Sequence, residues 1–244
     1  MRCAILADIH ANLAALEAVL NDIEKKGGVD ETWCLGDIVD YGPDPRPCLD
    51  IVQQLNPLCV AGNHDLAAIG RIDRGYFNPD AAVSNRWTAA QLTPADIAYL
   101  GALPMTLEKS GFTLVHGSPA DPVWEYLFSA SIAARNFALF PSRYCLVGHT
   151  HEPAIFRQEK NKGVVSAGFK PGIGLVLGET RTIINPGAGG QPRDGDPRAS
   201  YDIYDSEGRV MRLYRVPYDV RATQDRMMQA GLPLGLVTRL EVGR

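Results

Sequence analysis

Residues 3–27 read CAILADIHANLAALEAVLNDIEKKG, and the change of apolar period inside this stretch decides the fold class. Cys3 to Ala7 is a continuous apolar run, too short for a buried helix and suited to a strand covered on both faces. Asp8, His10 and Asn12 then interrupt it. From Leu13 onward the apolar positions Leu13, Leu16, Val19, Leu20 and Ile23 recur at helical spacing. Asn12 supplies an N-cap, and Lys25, Lys26 and Gly27 suit a helix C-terminus. The unit is strand, polar turn, helix.

The same unit recurs downstream. TWCLGDI at 32–38 reads as a strand followed by a helix over PRPCLDIVQQL at 45–55, and PLCVAGNHD at 57–65 as a third strand with its loop. Alternation of this kind predicts a largely parallel, buried sheet with helices outside it. Residues from about 66 to 103 are Ala-rich and helical, with Thr93, Pro94 and Asp96 marking a helix start, and read as a cap-like insert beside the sheet edge. FTLVHGSP at 112–119 returns to strand, ASIAARNFALF at 130–140 to helix and YCLVGHTHEP at 144–153 to strand. Hairpins are expected from about 155 to 215, where SYDIYDSEGRVMRLYRV alternates apolar and polar residues about a Ser-Glu-Gly turn. After about 220 a short helix and a tail remain. Without repeats or a linker, residues 1–244 read as one domain.

Composition narrows the function classes. The chain is 45% hydrophobic and 21% charged with a formal net charge of −4, and short basic clusters such as KNK at 160–162 are too small for an extended nucleic-acid footprint. No apolar run reaches the roughly 18 residues of a membrane span, and MRCAILADIH opens directly as a strand, so a soluble, cytoplasmic protein is expected. The five cysteines form no CxxC; Cys3, Cys34, Cys59 and Cys145 lie within apolar runs, and all five read as reduced core residues.

Each strand ends in a polar cluster: Asp8 and His10, then Gly36, Asp37 and Asp40, then Gly62, Asn63, His64 and Asp65, then His116, then His149 and His151. Ligand sites of open α/β sheets lie outside the strands' carboxyl ends, so these clusters converge on one crevice that holds all five histidines. One histidine after a strand is ordinarily a hydrogen-bonded structural residue; the joint pattern is different, because carboxylates gathered in one place need a cation to neutralise them. Mixed imidazole and carboxylate donors without thiolate suit divalent Mn, Fe, Zn, Co or Ni. Asp8, His10, Asp37, Asn63, His116, His149 and His151 offer seven donors, more than one zinc takes, which points to two cations.

In that order the segments DIH, GDIVDYG, GNHD, VHG and GHTH resemble the five motifs of the calcineurin-like metallophosphoesterases over residues 8–151. The later NPGAGGQPRDGDPRASY is similar to the C-terminal segment of small prokaryotic phosphoesterases and diadenosine-tetraphosphatase-like members. The resemblance implies a four-layer αββα sandwich, two mixed sheets flanked by helices, whose second sheet the strand pattern alone does not supply. It also implies that Asp8, His10 and His151 hold one metal ion, Asn63, His116 and His149 the other, and that Asp37 bridges them. Replacing His149 or His151 should then empty mainly one site.

Paired cations clamp phosphate oxygens and lower the pKa of a shared water, which becomes the nucleophile of an in-line attack. The departing oxygen needs a proton or strong charge stabilisation. His64 is the candidate donor, since its neighbour Asn63 takes a metal while the adjacent side chain points elsewhere. By resemblance Asp40 pairs with His64; Asp65 competes for that role, and Asp40 also fits a loop cap near Gly42 and Pro43. In the phosphoprotein phosphatases an arginine that grips phosphate stands at the position of Tyr41, so phosphate recognition here falls to another group. Asn12, Arg86 and Arg193 are candidates, each of which also fits a surface turn. Ala188 replaces a common serine in NPGAGG, and Asn185, Pro186 and Gly187 read as a tight turn. These features predict a binuclear phosphohydrolase of phosphodiesters or small nucleotides; a nuclease of the same superfamily and a non-catalytic metal-binding scaffold are the alternatives.

Overall fold

A computed structural model describes all residues 1–244 of the chain. The strands are β1 (Arg2–Leu6), β2 (Glu31–Cys34), β3 (Leu58–Cys59), β4 (Thr106–Lys109), β5 (Phe112–Val115), β6 (Tyr144–Leu146), β7 (Pro153–Glu159), β8 (Gly163–Gly168), β9 (Gly174–Val176), β10 (Thr182–Pro186), β11 (Ala199–Asp205) and β12 (Val210–Val216). The helices are α1 (Leu13–Lys25), α2 (Pro45–Leu55), α3 (Asn63–Ala68), α4 (Pro79–Gln91), α5 (Pro94–Ala102), α6 (Ala130–Asn136), α7 (Val220–Gln229) and α8 (Leu234–Val242). They build two six-stranded mixed sheets, in the orders β3-β2-β1-β11-β12-β9 and β4-β5-β6-β10-β7-β8.

The opening stretch folds as its period dictates. β1 pairs in parallel with β2, and β2 with β3, while Asn12 caps α1 by accepting from Ala15 N at 3.2 Å. One face of the first sheet buries Ala4, Leu6, Cys34 and Tyr201 against Leu16, Val19 and Ile23 of α1 and Leu49 and Val52 of α2. Its other face brings Cys3, Ile5 and Trp33 against Phe112, Leu114, Leu146 and Ile184 of the second sheet. Trp33 is fully buried there, with its ring 5.3 Å from Phe112, and burial of so large an apolar group contributes about 3 kcal/mol. On the far side of the second sheet, Val115, Cys145, Phe156 and Ile183 pack on Ala133 and Phe137, completing four layers. All five cysteines are free and buried.

Most elements fall where the periodicity places them, including α5, whose Thr93 and Asp96 make a reciprocal capping box. The C-terminal segment differs from expectation. Instead of one short helix and a tail, α7 and α8 form a helical pair closed by Met227, Leu232, Leu236, Val237 and Leu240, which pack on Tyr41 and Ala81. No helix is long and apolar enough to cross a membrane. A surface cavity of about 700 Å³ is lined by Leu20, Glu24, Asp30 and Lys109 among others and contains none of the histidines.

Candidate metal centre

The polar residues after β1, β2, β3, β5 and β6 meet in one buried crevice. Its backbone is unusual: Asp8, His10, Ala11, Asp37, Asp40, Tyr41, His149 and His151 all have φ between 48° and 76°. Left-handed conformations cost non-glycine residues of order 1 kcal/mol each, and their concentration here is the kind of strain that accompanies functional loops. Glycines make the convergence possible. A side chain on Gly62 would place its Cβ 2.0 Å from Asp37 Oδ1, and one on Gly148 would come within 3.0 Å of Asp8 Oδ2.

Two groups of donors result. Asp8, His10, Asp37 and His151 form one; Asp37, His116 and His149 form the other, so Asp37 belongs to both. His151 Nε2 lies 3.1 Å from His10 Nε2 and 3.4 Å from Asp8 Oδ1. In the second group His116 Nε2 lies 3.1 Å from His149 Nδ1 and 3.1 Å from Asn63 Oδ1. Asp37 Oδ2 stands 3.6 Å from His10 Nε2 and 3.2 Å from His116 Nε2. Ligand atoms held about 2.1 Å from one cation lie about 3.0–3.4 Å apart, the range of these separations except those of His10 Nε2 from Asp37 Oδ2 (3.6 Å) and from Asp8 Oδ1 (4.0 Å).

Neighbouring backbone fixes which nitrogen faces inward. His10 Nδ1 donates to Val39 O at 3.2 Å, His116 Nδ1 to Leu35 O at 2.8 Å and His151 Nδ1 to Gln191 O at 2.6 Å. Each Nε2 is thereby left as a lone-pair donor, an arrangement typical of histidines that bind metal. Asp37 Oδ1 accepts from His64 N at 2.9 Å, whereas its buried Oδ2 has no hydrogen-bond partner, nor does buried His149 Nε2. Asp37 Oδ2, buried, orphaned and faced by His10 and His116, fits a divalent cation; His149 faces the group with Nδ1.

Electrostatics agree. Burial pushes Asp8 up to about 7, against the opposing pull of His116. Burial would also raise Asp37, but His116, His64 and His10 hold it well below the usual carboxylate range. Burial disfavours the charged form of His116, yet Asp37 and Asp8 overcome it and push that imidazole up to about 10. His10, His149 and His151 are driven well below their usual value by burial. The cluster thus draws positive charge to His116, between its carboxylates, where a divalent cation would take the place of the Nε2 proton, and keeps the other imidazoles as neutral donors.

Beside this cluster His64 Nδ1 is 2.6 Å from Asp40 Oδ2. Asp40 also accepts from Asn85 Nδ2 at 2.8 Å, from Ser84 Oγ and from Tyr41 N. Asp65, the competing orienter, is spent on backbone: its oxygens accept from Ile38 N, Val39 N and Gly62 N at 2.9–3.1 Å. Phe77 stacks on the His64 ring at 4.6 Å and 18°. Ser84, Asn85 and Phe77 all come from the 66–103 segment, and sequence reasoning missed them. The signal for Ser84 and Asn85 was an adjacent polar pair inside the Ala-rich helix AAVSNRWTAA; Phe77 had none.

The three phosphate-binding candidates fare differently. Asn12 is buried and engaged on protein: Nδ2 donates to Gly190 O at 2.8 Å, and Oδ1 accepts from Ala15 N and Thr223 Oγ1. Arg86 is exposed on α4. Arg193 lies beside the crevice, its Nη2 3.5 Å from Tyr41 Oη. Asn185 makes a brace as well as a turn, donating to Gly148 O at 2.7 Å and Thr150 Oγ1 at 2.9 Å, so it holds the loop that carries His149 and His151.

With this geometry in view, comparison with known proteins is direct. The calcineurin-like phosphoesterase superfamily domain matches residues 1–209. An uncharacterised protein of Methanocaldococcus jannaschii is 36% identical over 247 residues, covering 99% of this chain and 98% of its own. The crystal structure of a metallophosphoesterase from Sphaerobacter thermophilus superposes with a TM-score of 0.91 at 47% identity, covering 100% of this chain and 99% of that one. A symmetrical bis(5'-nucleosyl)-tetraphosphatase of Vibrio cholerae is 30% identical over 127 residues, about half of either chain (50% and 45%).

Proposed function

The chain belongs to the calcineurin-like phosphoesterase superfamily and is a phosphoric ester hydrolase, and from that premise we propose that it cleaves a small phosphodiester or nucleotide ester at two divalent cations. One observation carries the binuclear reading: the orphaned Asp37 Oδ2 stands within 3.6 Å of imidazoles that belong to different donor groups. Asp8, His10 and His151 would hold one cation, Asn63, His116 and His149 the other, with Asp37 between them. Bound there, divalent cations supply Lewis acidity toward phosphate oxygens and toward the attacking water. The donor set suits Mn, Fe, Zn, Ni or Co, and manganese is the first to try.

His64 is the general acid of this mechanism. Its Nδ1 is engaged by Asp40, while Nε2 makes no hydrogen bond within the protein and is free to give a proton to the leaving oxygen. Asp40 is a positioning residue: held by Tyr41 N, Ser84 and Asn85, it fixes the orientation of the His64 ring. Arg193 meets phosphate oxygens. The ring of Tyr126 stacks on His149 at 3.8 Å and 17°, and Phe128 stacks on Tyr126 at 5.3 Å and 7°. Both rings are exposed, at 40% and 57%, and offer a nucleobase a face beside the metal ligands, which supports a nucleotide substrate. Five buried free thiols support a reducing, cytoplasmic setting.

Protein loaded separately with Mn, Ni, Co, Zn or Mg and assayed against bis-p-nitrophenyl phosphate, p-nitrophenyl phosphate, mononucleotides and dinucleoside polyphosphates tests this reading. Two metal equivalents and metal-dependent turnover of at least one ester class are expected. Two tightly bound equivalents with no ester hydrolysed would instead make the chain a metal-binding scaffold.

A further inference from the structure

We infer that Arg193 and Arg239 together form an anion subsite beside the metal centre, selecting phosphoric esters that carry a second phosphate next to the one cleaved. This inference rests on the phosphohydrolase reading above.

The two guanidinium groups arrive from separate parts of the chain and meet on one ring. Their central carbons lie 5.8 Å (Arg193) and 4.6 Å (Arg239) from the centroid of Tyr41. A single acceptor, Gln191 Oε1, receives Nη2 of both, at 3.3 Å in the case of Arg193. The Gln191 carbonyl is the group that fixes His151, so the arginine pair and a candidate metal ligand share one residue. Tyr41 in turn lies 4.6 Å from the His10 ring and 4.4 Å from the His64 ring.

Neither arginine has a carboxylate partner within ion-pair distance, and Nε of each is buried without an acceptor. Asp80 is the carboxylate felt at Arg239, and it ranks behind the repulsion from Arg193. Burial, and then Arg193, hold the Arg239 guanidinium below its usual value. Two half-buried like charges without a counterion are costly, and the missing counterion is an anion that enters the crevice. The charge is also felt at the metal donors, since Arg193 and Arg239 both disfavour protonation of His10 and His151. With cations in place the crevice carries more positive charge than one phosphate neutralises, and a second phosphate supplies the remainder.

α8, which carries Arg239, is anchored through α7. Thr223 Oγ1 donates to Asn12 Oδ1 at 3.1 Å, Arg226 pairs with Asp44, and Gln224 Nε2 donates to Val237 O at 3.0 Å. Gly195 N donates to Gly243 O at 2.9 Å, tying the loop of Arg193 to the end of α8. These helices lie beyond residue 209, where the match to the superfamily domain ends, so Arg239 stands outside the segment that carries the metal-ligand motifs.

Calorimetric titration of metal-free protein with inorganic tripolyphosphate and, separately, inorganic phosphate tests the subsite without any turnover. Wild-type protein should bind tripolyphosphate more tightly than phosphate. In Arg239→Gln and in Arg193→Gln, tripolyphosphate binding should weaken about tenfold or more, with a smaller change for phosphate. Arg239→Lys, which keeps the charge and fold but loses the planar fork, should recover part of the affinity. Unchanged tripolyphosphate affinity in folded Arg239→Gln, or no preference for tripolyphosphate in the wild type, would overturn the inference. Hydrolysis of bis-p-nitrophenyl phosphate by metal-loaded wild type separates the two layers. Turnover with arginine-independent binding removes the subsite alone; arginine-dependent binding without turnover of any ester removes the enzymatic reading and leaves the subsite.

Discussion

Two regions of this molecule bury carboxylate oxygens without a hydrogen bond, and they could hardly differ more. In the crevice Asp37 Oδ2 has imidazole nitrogens at 3.2 and 3.6 Å, and the surrounding histidines keep its carboxyl well below the ordinary range despite burial. Between the sheets both oxygens of Asp202 are orphaned, and burial alone pushes that carboxyl well above its usual value. Asp202 sits in β11 opposite Ile5 and Leu213, which belong to the apolar cluster between the sheets. An orphaned buried oxygen therefore marks a ligand site only where donors of opposite charge converge on it. Elsewhere it is a stability cost carried by a neutral acid.

The sharpest way to break this contrast is Asp37→Asn. Removing the shared carboxylate should weaken both cations at once and lower kcat/KM by roughly a thousandfold or more. Metal analysis of the purified variant checks it, and retention of two tight equivalents would end the idea of a bridge. His64→Asn comes next, with turnover down about 10²- to 10⁴-fold and metal content intact. Loss of metal in that variant would make His64 a ligand instead of an acid.

At the other region Asp202→Asn should raise stability. A carboxyl whose folded pKa lies above its unfolded value favours the folded chain fully only below the unfolded pKa, about 3.9, and that contribution is lost as pH rises toward the folded pKa. The variant should therefore gain about 1–3 kcal/mol at pH 8, several degrees in Tm, and close to nothing near pH 4. Melting curves at the two pH values decide it. A gain of equal size at both would mean that packing, not ionisation, separates the variants.

Much of the crevice was legible because strand ends announce themselves. A short apolar run that breaks at Asp8, Asp37, Asn63, His116 or His149 states in sequence where the backbone leaves the sheet, and residues at successive strand ends must meet. The Asp40–His64 contact was expected from resemblance, and the distance of 2.6 Å fits it. The competing Asp65 could not be excluded from sequence, because an aspartate that binds three backbone amides looks the same in a string of letters as one that orients a histidine. Asn12 shows the opposite failure. Its N-cap role was visible, but its use by Gly190 and Thr223 depends on segments roughly 180 and 210 residues away.

What the sequence determined by itself was local: the period of each apolar run, the caps of α1 and α5, and the set of donors at the strand ends. Those follow from short-range sterics and hydrogen bonding, which adjacent residues settle among themselves. Tertiary structure decided which distant groups share one environment. It paired Ser84 and Asn85 with Asp40, folded α7 and α8 back over Tyr41, brought Arg239 to Arg193, and sealed Asp202 between two sheets. Burial and field at a residue are sums over everything packed around it, and that sum exists only once the chain has closed.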